Sequence, residues 1–295
     1  MDVFSGAVNA LVSGTSRQFH APDLAGALSI KAVFSGSAAW ETDRRRYVVN
    51  ENTYLVVNQD QPYDFTIDCS APSTTCSVFF QRGFVEEVHR AATQPDAALL
   101  DAPAAVPGSL AWPQRLEPEP SRVLATLRRL HADRGRGRVS RIAAEEGFLL
   151  IARDLVRELS CTDAAASRLP ALRASTRAEL LRRVLRGRDH LLSRMHEPVS
   201  IADAARAACM SQYHFFRTFR TAFGEPPHQF LTVQRLRRAR TLLAGGRHTV
   251  TEVCLESGFQ SPSSFSALFR RHFGVSPQAV LREAAGPLAN GPTNG

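Results

Sequence analysis

Two segments near the C-terminal end repeat one another at a fixed offset: SQYHFFRTFRTAFGEPPHQFL, from Ser211 to Leu231, and SPSSFSALFRRHFGVSPQAVL, from Ser261 to Leu281. The offset pairs Phe215, Phe219 and Phe223 with Phe265, Phe269 and Phe273, Arg220 with Arg270, Gly224 with Gly274, and Pro227 with Pro277. Phenylalanines four apart fall on one stripe of a helix and predict a buried face. Each copy opens on a serine suited to an N-cap, the second with Pro262 in the first helical position, and each ends on glycine followed by proline. Upstream of each, Ser200 with Asp203 and Thr249 with Glu252 form capping-box patterns that open a short helix. Thr176 with Glu179 predicts a third such box, opening a helix that runs to about Met195. The chain is thus expected to hold two helix-turn-helix units side by side.

In the first unit Ile201, Ala204 and Ala205 should face inward, with Cys209 and Met210 in the turn. The Phe stripe leaves Gln212, Tyr213, His214, Phe216, Arg217 and Arg220 off the buried side. Residues in the first half of such a helix can enter a DNA major groove. Arg217 is the best candidate for a base contact, because a guanidinium can donate two hydrogen bonds to a guanine edge. Gln212 and Tyr213 are its neighbours, Arg220 is placed to meet phosphate, and Phe216 is expected to pack under the turn. The second unit has one more residue between its helices, with Gly258 supplying the turn and Phe259 plugging the junction. Its outward side offers Ser261, Ser263, Ser264, Ser266 and Ala267, then Arg270 and Arg271. That set favours phosphate contacts and shape over sequence readout. Between the units, PHQFLTVQRLRRARTLLAGG predicts a connector helix with Phe230, Val233, Leu236, Leu242 and Leu243 on its apolar side. Arg235, Arg237, Arg238 and Arg240 fall largely opposite, as a solvated face with DNA contact a minority expectation. A rigid connector suits readers in successive grooves roughly 34 Å apart.

The first third of the chain reads differently. IKAVF, AAWET, RRYVVN, TYLVVN, YDFTID and TCSVFF are short, rich in Val, Tyr, Phe and Thr, and separated by turn-rich pieces. They predict an antiparallel β-barrel or jelly roll from about residue 28 to 82. Trp40, Tyr47, Tyr54, Tyr63 and Phe65 are candidates to line a small-molecule pocket there, although aromatic residues on strands are more often core. The stretch 101–120 holds five prolines and cannot be one regular element. Helical periodicity follows, first through Val123, Leu124, Leu127 and Leu130, then from Ile142 to Leu159. Ser160 to Ser175, with Pro170, reads as an interdomain linker.

Charge divides along the same line. Residues 173–295 carry 18 arginines against 8 acids, whereas residues 1–172 carry 18 basic and 20 acidic groups. A basic module joined to a near-neutral one fits a nucleic-acid binder with a separate sensing or assembly domain. Arginine outnumbers lysine 35 to 1, Lys31 being the single lysine, a bias expected of a GC-rich bacterial genome. No apolar run approaches the roughly 20 residues of a membrane span, and MDVFSGAVNALVSG lacks the basic flank of a signal peptide. A cytoplasmic protein is expected, with no membrane partner. The five cysteines show no CxxC pair and no histidine spaced for zinc, so they are expected as reduced structural thiols. The strand region has only His20 and His89 at its margins and no HxH, so neither metal nor cofactor is expected.

At GFQSPSSFSALFRRHFGVSPQAVLR the C-terminal segment, roughly Arg188 to Arg282, resembles the DNA-binding domain of AraC/XylS-type transcriptional regulators, and Tyr213, His214, Phe215, Arg217 and Phe219 agree with the first-unit pattern. The resemblance implies two helix-turn-helix subdomains held by a shared helix, double-stranded promoter DNA as partner, and transcription control through RNA polymerase. Where family members often have arginine in the second recognition helix, this chain has Ala267. AAWETDRRRYVVNENTYLVVNQDQPYDFTI is similar to the cupin-like effector-binding domain of that family. It implies a small-molecule effector and, through the helices after Ser121, a homodimer. The expected layout is α+β and multidomain: a cupin-like sensor over 1–100, a proline-rich loop with dimerisation helices and linker over 101–175, an all-α DNA-binding domain over 176–285, and a disordered tail over 286–295. The expected function is an effector-responsive, sequence-specific regulator, an activator rather than an enzyme. A cupin enzyme with an appended helical domain and a nonspecific architectural DNA binder stay open as alternatives.

Overall fold

A computed structural model describes residues 6–94, 110–138, 140–170 and 173–285 of the 295-residue chain. The expected tail over 286–295 and residues 101–109 of the proline-rich stretch lie outside the described residues. Six strands come first: β1 (Ala10–Leu24), β2 (Ser29–Ser35), β3 (Ser37–Thr42), β4 (Arg45–Asn50), β5 (Thr53–Val57) and β6 (Tyr63–Phe79). A seventh, β7 (Leu116–Pro118), follows the helix α1 (Phe84–Thr93). Every pairing is antiparallel, in the order β4-β3-β6-β2-β5-β7, with β1 laid along the free side of β6.

The long strand β6 turns this sheet into a near-barrel. Its first part pairs with β3 through Asp64 to Thr66, and its last part pairs with β2 through Thr74 to Phe79. Pro72, which has no N–H to donate, lies between these stretches, where the register with β1 also shifts. The sequence splits this strand into YDFTID and TCSVFF because Pro72 stands between them.

Strand β1 was not expected. Most of its residues are exposed and no apolar alternation marks it; backbone pairing with β6 holds it instead. Strand β7 completes the edge beside β5 from within a proline-rich stretch.

The helices α2 (Arg122–Gly135) and α3 (Arg141–Ser167) pack with α1 over one face of the sheet. Ile30, Tyr54, Val56 and Val78 meet Val123, Leu127, Ile151 and Leu155 in that core. Helix α3 corrects the expected linker, since it continues through Ser160 to Ser167 with apolar positions still packed.

The C-terminal helical part comprises α4 (Ala174–Ser193), α5 (Ile201–Ala207), α6 (Gln212–Phe223), α7 (Pro227–Ala244), α8 (Val250–Glu256), α9 (Pro262–Phe273) and α10 (Pro277–Ala285). The expected box at Thr176 is not formed: α4 is preceded by Arg173 without a side-chain cap. Glu179 is drawn instead to Arg182 and Arg183, each at 2.8 Å, the usual helical ion-pair spacing. One core joins the barrel to the first unit, running from Trp40, Leu55 and Tyr63 through Leu185 and Leu192 to Phe215 and Phe219. A second surrounds Leu236, Val253, Phe265 and Phe269.

Candidate nucleic-acid interface and sensor cavity

Both units are built as their end signals dictate. Ser200 and Thr249 form complete capping boxes with Asp203 and Glu252, satisfying backbone donors at both ends of the exchange. Ser211 and Ser261 accept from the N–H groups of His214 and Ser264, and Gly224 and Gly274 end α6 and α9 in left-handed geometry at φ 82° and 75°. Phe215, Phe219, Phe265 and Phe269 are fully buried, with Phe223 and Phe273 at the rim of each core. Cys209, at φ 52°, makes the first turn. The second turn needs glycine: a Cβ on Gly258 would stand 2.6 Å from the Met195 carbonyl oxygen and 2.9 Å from Arg235.

With the stripe inside, Gln212, Tyr213, His214, Arg217 and Arg220 are all exposed along α6. Arg217 donates through Nη1 to the Tyr213 hydroxyl at 3.3 Å, and its guanidinium lies 5.6 Å from the Tyr213 ring centre. The two project as one braced pair, Tyr213 being 71% exposed. Phe216 is half-buried and stacks near His228. On α9 the outward groups are Ser263, Ser264, Ala267, Arg270 and Arg271, while Ser266 is half-buried and Ser261 is occupied in capping. Phe259 packs on Phe265 at 5.2 Å.

The arginines of the connector α7 are used inside the molecule. Arg235 donates to the carbonyls of Met195 and Glu197 at 2.7 and 2.8 Å, placing a cation where the carbonyls of α4 end. Arg237 donates to the Glu119 carbonyl at 2.6 Å, and Arg238 to the Glu51 carboxylate at 2.8 Å with both side chains largely buried. Arg240 lies over the Phe273 ring. These contacts replace the solvated face expected from sequence. Asn52 adds a bond to Thr241 at 3.1 Å, and Gln234 one to Glu119 at 3.2 Å. The β4–β5 turn and the segment after β7 therefore grip the same helix that joins the two helix-turn-helix units. A second contact lies at β7, where the Leu116 N–H donates to Asp189 and Arg188 donates to the Leu116 carbonyl. Burial pushes the Asp189 carboxyl up to about 7, against the pull of Arg188.

Inside the near-barrel, β1, β2, β3 and β6 enclose a cavity of about 380 Å³. Of the five aromatic candidates it brings together Trp40, Tyr63 and Phe65. Tyr54 lies in the other core, its hydroxyl against the Glu158 carboxylate of α3; burial pushes that carboxyl up to about 7. Tyr47 donates to the Gln114 carbonyl and borders a separate cavity between the β3–β4 hairpin and α4. What the sequence reading passed over is Lys31. It lines the cavity at 1% exposure, donates to the Tyr63 hydroxyl at 2.9 Å, and has Phe79 and Tyr63 ring centres at 4.1 and 4.6 Å. Burial lowers its pKa to about 7. The available signal was a lone lysine inside a strand that is apolar on both sides.

The sequence model of the AraC-like ligand binding domain matches residues 9–181, and that of a helix-turn-helix domain matches residues 204–283. The chain belongs to the AraC family. AraC-family relatives similar to it include the probable transcriptional regulator LumQ of Photobacterium leiognathi, 33% identical over 89 residues, or 30% of this chain and 36% of that protein. The HTH-type transcriptional regulator MtrA of Neisseria gonorrhoeae is 38% identical over 77 residues, 26% of each. The virulence regulon transcriptional activator VirF of Yersinia enterocolitica is 34% identical over 82 residues, 28% of this chain and 30% of that one. The matched segment spans about a third of the length of these relatives or less. Among solved structures, the DNA-binding domain of AdpA, a global transcriptional factor in complex with a target DNA, is 33% identical, covers 38% of this chain and 97% of that one, and has a TM-score of 0.32. ToxT from Vibrio cholerae O395 is 12% identical over 94% of this chain and 98% of that one, with a TM-score of 0.34. Among the described residues no helix is long and apolar enough to cross a membrane.

Proposed function

We propose that this protein is a sequence-specific regulator of transcription, reading double-stranded promoter DNA with α6 and α9 in successive major grooves. The braced Arg217–Tyr213 pair on an exposed helix face carries this reading. Gln212 and His214 flank the pair, while Arg220, Arg270 and Arg271, with the serines at positions 261, 263, 264 and 266, serve phosphate contact and positioning. Unequal outer faces divide the labour: the first unit supplies most base discrimination and the second anchors it.

The proposed working units are a sensor over 1–100, a connecting and dimerising segment over 101–175, and a DNA-binding domain over 176–285. A small-molecule effector in the near-barrel would bias how Glu51, Asn52 and Glu119 hold α7 and so shift DNA occupancy. Exposed Ile142 and Leu149 on α3 support pairing of two copies there, and contact with RNA polymerase completes the activator reading. The test is binding of the full chain to genomic fragments, followed by titration of the selected site with Arg217→Ala. The regulator reading expects about 1–3 kcal/mol lost at that site and little change on unrelated DNA. An equal loss on all sequences would favour a nonspecific architectural binder.

A further inference from the structure

The near-barrel cavity has an unusual chemical content. Among the described residues, its polar lining apart from Lys31 consists of neutral hydroxyls, the Trp40 indole and backbone, and no carboxylate lines it. Lys31 sits mid-strand on β2, opposite Ser77 of β6 and Leu55 of β5, so backbone pairing on both sides fixes where its amine emerges. The amine donates to the Tyr63 hydroxyl at 2.9 Å, and the Tyr63 and Phe79 rings lie against it. From this geometry we propose that Lys31 is a covalent sensing residue, which condenses with an apolar aldehyde or ketone entering the cavity to form an imine. The proposal rests on reading the near-barrel as the effector site and names the chemical class of that effector.

Two groups are needed and both are present. The first is an amine with a free electron pair. Although aromatic faces favour an ammonium, burial outweighs them and brings the Lys31 pKa to about 7, so much of the population is the neutral nucleophile near neutral pH. The second is a proton donor for the departing oxygen. Burial pushes the Tyr63 phenol up to about 12, which keeps it protonated, and because its oxygen accepts from Lys31 its own hydrogen is free to point at the ligand. The Lys31 nitrogen attacks the carbonyl carbon, and one amine proton passes to the carbonyl oxygen to give a carbinolamine. Tyr63 then donates a proton, the C–O bond breaks, water leaves, and the nitrogen's remaining proton returns to the Tyr63 oxygen. The sum is amine plus carbonyl giving imine plus water, with no change of oxidation state. The apolar walls of Trp40, Phe65, Ile67 and Phe79 suit a hydrocarbon substituent and would shield the imine from hydrolysis.

The experiment treats the full-length protein with octanal and sodium cyanoborohydride across pH 6 to about 9, followed by peptide mapping, with octanol and octanoate as noncovalent comparators in thermal-shift titrations. The expected result is one octyl group on Lys31, with the labelling rate rising through the neutral range. Lys31→Met should abolish that label, and Tyr63→Phe should slow it at least several-fold while octanol still binds. Labelling confined to the N-terminal amine, with octanol still stabilising the protein, would overturn the imine and leave the effector cavity standing. Tight octanoate binding through Lys31 without any adduct would overturn it in favour of a carboxylate site. If none of the three ligands labels or stabilises the protein, the effector reading of the cavity falls as well.

Discussion

Replacing Lys31 by methionine should make the protein more stable, and by an amount that shrinks as pH rises. In the unfolded chain the amine holds its proton up to its ordinary value near 10.5, whereas in the folded protein it releases it at about 7. Between those values the Lys31 amine binds more protons in the unfolded state, so its contribution to the stability of the natural protein climbs with pH. The charge is therefore a liability that is complete below pH 7 and gone above pH 10.5. At about 1.4 kcal/mol per pH unit, Lys31 costs about 4 kcal/mol at pH 7 and about 2 kcal/mol at pH 9. Methionine follows the same path with similar volume, but it forfeits the bond to Tyr63, worth about 1 kcal/mol. The net gain should be about 3 kcal/mol at pH 7 and about 1 kcal/mol at pH 9. Tyr63 and Cys76, the nearby groups whose pKa values burial pushes up to about 12, stay protonated in the folded state up to pH 9, and the protons they release from the unfolded chain are common to both proteins and cancel in the difference. Parallel urea titrations of both proteins at pH 7, 8 and 9 read the difference directly. A gain that stays constant across those pH values, or a natural protein more stable at pH 7, would refute the neutral buried amine.

Four further outcomes are expected. Gly187→Ala should cost about 1–3 kcal/mol in the same assay, because its Cβ would stand 2.3 Å from the Phe215 ring and 2.8 Å from the Ala204 carbonyl oxygen. Glu51→Ala and Arg238→Ala should show a coupling above about 1 kcal/mol in a double-mutant cycle, since their pair is largely buried; additivity would mean the grip on α7 is inert. Ser211→Ala and Ser261→Ala should each lower the melting free energy by about 1 kcal/mol through loss of a helix cap. Arg270→Ala and Arg271→Ala should weaken binding alike on all DNA sequences, each lowering the slope of log affinity against log salt by about 1.

The helical half was legible because its signals are local. Ser211, Ser261, Gly224 and Gly274 announce helix ends within a few residues of where they act, and the spacing of Phe215, Phe219 and Phe223 is the period of the element they build. Thr176 and Glu179 show the limit: the spacing of a capping box is also that of a helix-surface neighbour, and nearby Arg182 and Arg183 decide what Glu179 does. Other features depend on partners far along the chain. Strand β1 exists because β6 offers it a backbone ladder, which leaves no apolar rhythm in its own residues. The α7 arginines look like a solvated face until Glu51, Glu119 and Met195 are placed against them. Of the aromatic candidates, Trp40, Tyr63 and Phe65 converge, whereas Tyr47 and Tyr54 turn to other neighbours; strand alternation cannot tell which concave surface a residue will meet in a sheet with cores on both sides.

Helix α7 is both the spacer between the two helix-turn-helix units and the handle held by the near-barrel. A stiff rod cannot be stretched by the hand that holds it. Any shift passed through Glu51, Asn52 and Glu119 therefore carries both helix-turn-helix units together, and the distance between α6 and α9 stays constant. Under the proposed function an effector would change whether and at what tilt the pair lands, so bound and unbound states should prefer sites with the same number of base pairs between the two contacted grooves.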